Sequence, residues 1–179
     1  MMTKLNLGCG DRKIPGFINV DSRKEVEPEV CIDLVDLDKN FKDGEADLIY
    51  LCHVLEHIEK RDVSSFVECL YRKLRVGGIL RVSVPDFDSI VNYYNITKDV
   101  EPLQALLHGG HKYKEDYHFA SYNLSKLTSL LVSFGFKGVE RYDWRQTEHF
   151  YIDDYSQSYL PHLDKQNGML MSLNVEAIK

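Results

Sequence analysis

The 179-residue chain is 44% hydrophobic and 28% charged, enough apolar material for one core and too much for a disordered polymer. Lys and Arg number 22 against 28 Asp and Glu, a formal net charge of −6, which argues against a protein that grips a phosphate backbone. No apolar run approaches the roughly 20 residues of a membrane span, and with a strand-like run starting within Met-Met-Thr-Lys-Leu-Asn-Leu no export signal is expected.

Lys4 to Leu7 reads as a first strand, running into Gly8-Cys9-Gly10. Phe17 to Val20 reads as a second strand ending at Asp21, and Val30 to Leu34 and Leu48 to Leu51 as a third and a fourth. A helix is predicted from about Asp62 to Arg75, where Val63, Phe66, Val67, Leu70 and Leu74 recur at helical spacing and Gly77-Gly78 would stop it. Ile79 to Val84 follows as a strand. A second helix is predicted over Leu124 to Phe134, with Asn123 or Ser125 as its cap and Gly135 as a left-handed exit. Gly138 to Tyr142 and Met169 to Ile178 complete the strands.

This alternation is the pattern of an α/β sheet with helices on its faces. No repeat or Pro/Ser-rich linker interrupts it, so residues 1–179 are expected to form a single domain. Segments 99–122 and 143–168 are less regular and dense in His, Tyr and charge. Ligands in such folds bind at the carboxyl ends of the strands, and these two insertions are candidates to cover that edge. Cys9, Cys31, Cys52 and Cys69 show neither a CxxC pair nor the crowding of a disulfide scaffold. They are expected to be small buried thiols in a reducing cytoplasm.

Two glycines after a strand permit positive φ and close approach of the backbone to a ligand. A second strand ending in a carboxylate, Asp21, supplies a group that can accept hydrogen bonds from both ribose hydroxyls. A dinucleotide fold separates these features by about 20 residues, with a full helix whose N-terminus neutralises the pyrophosphate. Here Asp21 follows Gly10 closely, with Pro15-Gly16 between them, so no full helix fits. The spacing therefore favours S-adenosylmethionine, which has a ribose but no phosphate.

The residues Leu5 to Gly10 (LNLGCG) and Pro15 to Asp21 (PGFINVD) resemble the small bacterial-type members of the class I S-adenosylmethionine-dependent methyltransferases. The likeness extends to Val30 to Leu34, to Ala46 to His57, to the glycine turn and strand of Leu74 to Asp86, and to Leu130 to Phe136. It implies a Rossmann-like three-layer sandwich, with a mostly parallel seven-stranded sheet and an antiparallel last strand. It also implies an S-adenosyl-L-methionine site built from Asn6, Gly8, Cys9, Gly10, Asp21, Ser22, Asp33, Leu34, Cys52 and His53, with Asp33 at the adenine amino group. Asn6 departs from the acidic residue that the family commonly has at this position. With four residues ahead of Leu5, the chain is expected to lack the amino-terminal helices that many relatives fold over the cofactor, and a homodimer could close the open edge.

His53-Val54-Leu55-Glu56-His57 also spells HxxEH, a zinc-hydrolase pattern that places His53, Glu56 and His57 on one helix face. It follows a buried-looking strand in a glycine-loop context, which favours a turn beneath the cofactor instead. The ubiquinone-pathway O-methyltransferases resemble this segment and place a magnesium-binding carboxylate near it, but His53 stands where they have Glu. His108, His111, His118, His149 and His162 match no standard zinc spacing. No metal is therefore predicted.

The expected activity is methyl transfer to a small-molecule or sugar hydroxyl or amine. His53 is the favoured catalytic base, with His111 and His118 as alternatives. The fourth strand lacks the Asn/Asp-Pro-Pro-Tyr pattern of nucleobase amine methylation, which with the acidic balance argues against nucleic acid as a partner; no membrane partner is expected either, since no apolar run is long enough to span one. The alternative is a non-catalytic module of the same fold that binds S-adenosylmethionine or another protein.

Overall fold

A computed structural model describes residues 2–179. Strands Lys4–Leu7 (β1), Ile18–Asp21 (β2), Val30–Cys31 (β3), Ala46–Cys52 (β4) and Leu74–Pro85 (β5) run parallel. Lys137–Arg141 is β6. Tyr159–Leu160 (β7) and Met169–Leu170 (β8) pair in a small ribbon, and Ser172–Ile178 (β9) returns to the main sheet. The main sheet has seven strands in the order β3-β2-β1-β4-β5-β9-β6, and β9 runs antiparallel to both its neighbours. This is the Rossmann-like architecture that the motifs imply.

The helices are Leu37–Asn40 (α1), Val63–Lys73 (α2), Phe87–Thr97 (α3), Gln104–His108 (α4) and Leu124–Ser133 (α5). The main core joins Phe66, Val67 and Leu70 of α2 and Leu127 and Leu131 of α5 to one face of the sheet. Alternation along β4 sends Ile49 and Leu51 into that core and Leu48 and Tyr50 to the opposite face, where Ile14 and Phe17 pack. A third cluster of Ile90, Leu103 and Met171 seats α3 and the start of the first insertion beside the ribbon.

Several elements depart from the sequence reading for local reasons. The third strand stops at Cys31 because Asp33 accepts a hydrogen bond from Val35 N (3.1 Å) and caps a 3-10 turn over Leu34–Asp36. Helix α2 ends at Lys73, before the glycines, and Gly77 and Gly78 lie inside β5. The expected strand from Met169 is broken at Met171, whose N–H donates to Ser158 O (2.8 Å) while its carbonyl accepts from Asp86 N (2.8 Å). Helix α3 was not anticipated, although Asp86 after Pro85 is a capping signal and its side chain accepts from Asp88 N. Asn123 is the cap of α5, and Gly135 takes φ +96°. Of the four cysteines only Cys9 is buried; Cys31 is exposed and the other two are half-buried. Among the described residues no helix is long and apolar enough to cross a membrane.

Candidate active site

A cleft of about 800 Å³ opens at the carboxyl ends of β1 and β4. Its floor is the glycine loop with Cys52 and His53, and both irregular insertions wall it, the first through Leu106, Tyr113 and His118, the second through Asp154, Tyr155 and Leu163. The volume is within the range of small-molecule sites.

Gly8 and Gly10 adopt φ +67° and +50°, a region that a side chain would make costly. At Gly8 the constraint is also steric, because a Cβ would lie 2.5 Å from Val54 Cγ2. The Gly10 N–H donates to Asp21 Oδ2 (2.8 Å), and Asp21 Oδ1 accepts from the N–H and Nε of Arg23 (2.9 and 3.3 Å). The buried carboxylate of Asp21 thus orients the glycine loop from behind, and it does not itself line the cleft. The Arg23 guanidinium also stacks 4.3 Å from the ring centroid of Tyr113, joining the loop to the first insertion.

Asn6 is buried. Its amide donates to Arg12 O and Asn19 Oδ1 (3.0 and 2.8 Å), and Asn19 Oδ1 accepts from Ile14 N. Where an acidic residue would add charge beside the loop, Asn6 ties down the turn that replaces the missing helix. Asn6, Gly8, Cys9, Gly10, Cys52 and His53 line the cleft. Ser22 and Asp33 are exposed and Leu34 is half-buried at the edge beyond β3. Burial pushes the Cys9 thiol up to about 12, so it is a packing group and not a nucleophile.

His53 closes β4 at φ +54°, a strained position for a side-chain-bearing residue, and its N–H donates to Ser83 O (2.8 Å). Its Nε2 lies 3.1 Å from Ser172 Oγ and its Nδ1 3.3 Å from Glu56 Oε1. Burial pushes its pKa down to about 3, so the ring is neutral at physiological pH. Glu56 is fully buried with both carboxylate oxygens lacking a hydrogen-bond partner, and burial raises its pKa to about 8.

His57 and His118 also line the cleft. Their rings meet edge-on with centroids 4.7 Å apart. His57 Nδ1 is 3.1 Å from Tyr117 O and His118 Nδ1 is 3.0 Å from Leu106 O. Burial lowers both, His118 to about 4. One ligand atom from each of Glu56, His57 and His118 lies within 4.8 Å of the other two.

The sequence motifs do not foreshadow this convergence, because HxxEH and His118 belong to separate segments that only the path of the first insertion brings together. Of the remaining histidines, His162 also lines the cleft. His111 is exposed and stacks on Tyr117, while His149 is buried against Tyr50 and Phe17. Asp154 caps a turn by accepting from Ser156 N (3.0 Å) and holds the Tyr50 hydroxyl (2.7 Å), and Trp144 is a buried packing residue.

The strand order, the glycine loop and the carboxylate at the end of β2 define a class I methyltransferase fold. A methyltransferase-domain family profile matches residues 13–82, from the loop after β1 to the middle of β5. The match spans less than half of the chain, and together with the strand order it shows a methyltransferase-like fold. A SAM-dependent methyltransferase from Archaeoglobus fulgidus is similar in fold at 16% identity, with a TM-score of 0.62 over 99% of this chain and 86% of that one. The 1,6-didemethyltoxoflavin-N1-methyltransferase of Burkholderia thailandensis, solved with bound 1,6-didemethyltoxoflavin and S-adenosylhomocysteine, is similar in fold at 13% identity and TM-score 0.60, over 99% and 70% of the two chains. A methyltransferase from Mesorhizobium loti reaches 19% identity and 0.55, covering 99% of this chain and 91% of its own. None of the curated protein sequences matches the chain.

Proposed function

We propose that the protein transfers the methyl group of S-adenosylmethionine to a hydroxyl or amine of a small molecule or sugar bound in the cleft. The observation that carries this reading is the cleft itself, which has the glycine loop on its floor and polar and aromatic insertion residues as walls. When bound, the cofactor supplies a methyl already activated on a positively charged sulfur, so the protein's main task is alignment. Gly8 and Gly10 let the backbone come close, and Asp21 can exchange its Arg23 contacts for ribose hydroxyls. Lys112, Tyr113, Asp116, Tyr155 and His162 on the walls offer the mixture of hydrogen-bonding groups and flat apolar faces that suits a polyhydroxylated acceptor.

For a hydroxyl acceptor, His53 is the proposed base. It is uncharged at neutral pH, but its lowered pKa makes it a weak base, so the role requires acceptor binding to raise it. An acceptor would compete with Ser172 for Nε2. His53→Gln is then expected to lower kcat roughly 100-fold or more with little change in KM, measured once an acceptor is found. Unchanged turnover would remove His53 from the chemistry.

The hydrogen bond between His53 Nε2 and Ser172 Oγ favours, as a second reading, a module that binds S-adenosylmethionine without turning it over. Mass spectrometry of the purified protein for carried S-adenosylmethionine or S-adenosylhomocysteine, followed by calorimetry, tests what the two readings share. No binding at millimolar cofactor would sink both. A labelled-methyl screen against small metabolites and glycans separates them, since transfer to any acceptor excludes the silent module.

A further inference from the structure

We propose that Glu56, His57 and His118 form a binding site for one divalent transition-metal ion of the zinc class in the wall of the cleft. The donor atoms of the three residues lie within 4.8 Å of one another. With metal–ligand bonds of about 2.0 to 2.2 Å, tetrahedral donors stand roughly 3.4 Å apart, so the residues need only draw together by about an ångström.

Both imidazoles are prepared for this role. A carbonyl oxygen can only accept, so the contacts of His57 Nδ1 with Tyr117 O and of His118 Nδ1 with Leu106 O place the proton on Nδ1 in each ring. Each Nε2 is left with its lone pair, and each ring is held by the outer contact that metal-ligating histidines usually make. The third donor is a carboxylate with no exposure and no hydrogen bond to either oxygen, although His53 Nδ1 stands 3.3 Å from Oε1. Such a group is costly to bury, and an ion would satisfy it. The backbone is latched in the same place, with Phe119 N donating to Glu56 O (2.8 Å) and His118 N to His108 O (3.1 Å).

Two imidazoles and one carboxylate suit zinc, cobalt or iron and not magnesium, which prefers oxygen donors and keeps its waters. Three protein ligands leave a fourth position, and because His57 and His118 line the cleft that position faces it. An oxygen donor, a hydroxyl or carboxylate of the acceptor, would fit there. This use rests on the reading of the cleft as the acceptor site, whereas the metal site itself does not.

The test uses the full chain, stripped with a chelator and titrated with cobalt(II) while the visible bands of four-coordinate cobalt are recorded. Zinc affinity is measured in parallel by competition with a chromophoric chelator. One equivalent is expected to bind. Glu56→Gln and His118→Ala should each weaken zinc by roughly 100-fold, while His111→Ala, in an exposed ring outside the cluster, should bind as the parent does. Absence of saturable binding by a chain that circular dichroism shows folded would overturn the proposal, as would parental affinity in both cluster variants. Cofactor calorimetry on the same samples separates the two readings: metal bound without S-adenosylmethionine sinks the proposed activity alone, and cofactor bound without metal sinks the metal site alone.

Discussion

At Gly8 the backbone angle and the approach of Val54 act together, so the position tolerates no side chain without a shift of β1 or of the turn after β4. Gly8→Ala is expected to destabilise the fold by about 1 to 3 kcal/mol, read from urea denaturation; parental stability would show that the loop adapts freely. Asp21 is a different case, because its carboxylate is buried in contacts with Gly10 and Arg23 and holds the loop in shape. Asp21→Ala removes that support and, on the proposed function, the ribose acceptor as well. Calorimetry should show S-adenosylmethionine binding weakened by about 1 to 3 kcal/mol, and an unchanged dissociation constant would place the ribose elsewhere.

The second insertion depends on a few charged contacts with the sheet beneath it. Glu148 accepts from Lys4 Nζ of β1 and Arg81 Nη1 of β5, both at 2.9 Å, while Arg81 Nε also reaches Glu176 of β9 (2.6 Å). Burial alone would raise the Glu148 carboxyl, but the hydrogen bonds from Arg81 and Lys4 outweigh it and bring its pKa from 4.5 down to about 2. A depressed carboxyl contributes stability that is present above its unfolded value and lost as the pH falls through its folded value. Glu148→Gln should therefore flatten the loss of stability between pH 4.5 and about 2, measured as urea midpoints across that range. An acid limb identical to the parent's would mean that the pair contributes nothing to folding.

On the scale of the whole molecule, the cleft is built from both ends of the chain, with its floor on β1 and β4 and its walls on insertions that follow α3 and β6. A ligand seated there links parts that are distant in sequence and binds only when all are in place. At a hundredfold excess over its dissociation constant, S-adenosylmethionine should add about 2.7 kcal/mol, which for a chain of this size raises Tm by roughly 5 to 10 °C. Calorimetric melting checks this, and Asp21→Ala at the same cofactor concentration should show a smaller shift. A parental Tm that ignores saturating cofactor would contradict binding at this cleft.

The strands were legible in the chain because apolar runs and the glycines after them are local signals. The short linker from Gly10 to Asp21 is legible for a similar reason, since Pro15-Gly16 leaves no room for a full helix whatever surrounds it. The reading was weaker where a long-range contact competes with a local preference: Met171 breaks the last strand to serve Ser158 and Asp86, and Asp33 spends its carboxylate on a turn. Only the tertiary structure brought His118 against Glu56 and His57, set His53 between Ser172 and Glu56, and turned two irregular segments into walls. Local spacing determines which residues share a strand or a turn. Which histidines meet across about 60 residues depends on the path of an insertion, and that path is set by backbone contacts such as Phe119 with Glu56, which leave no periodic trace in the sequence.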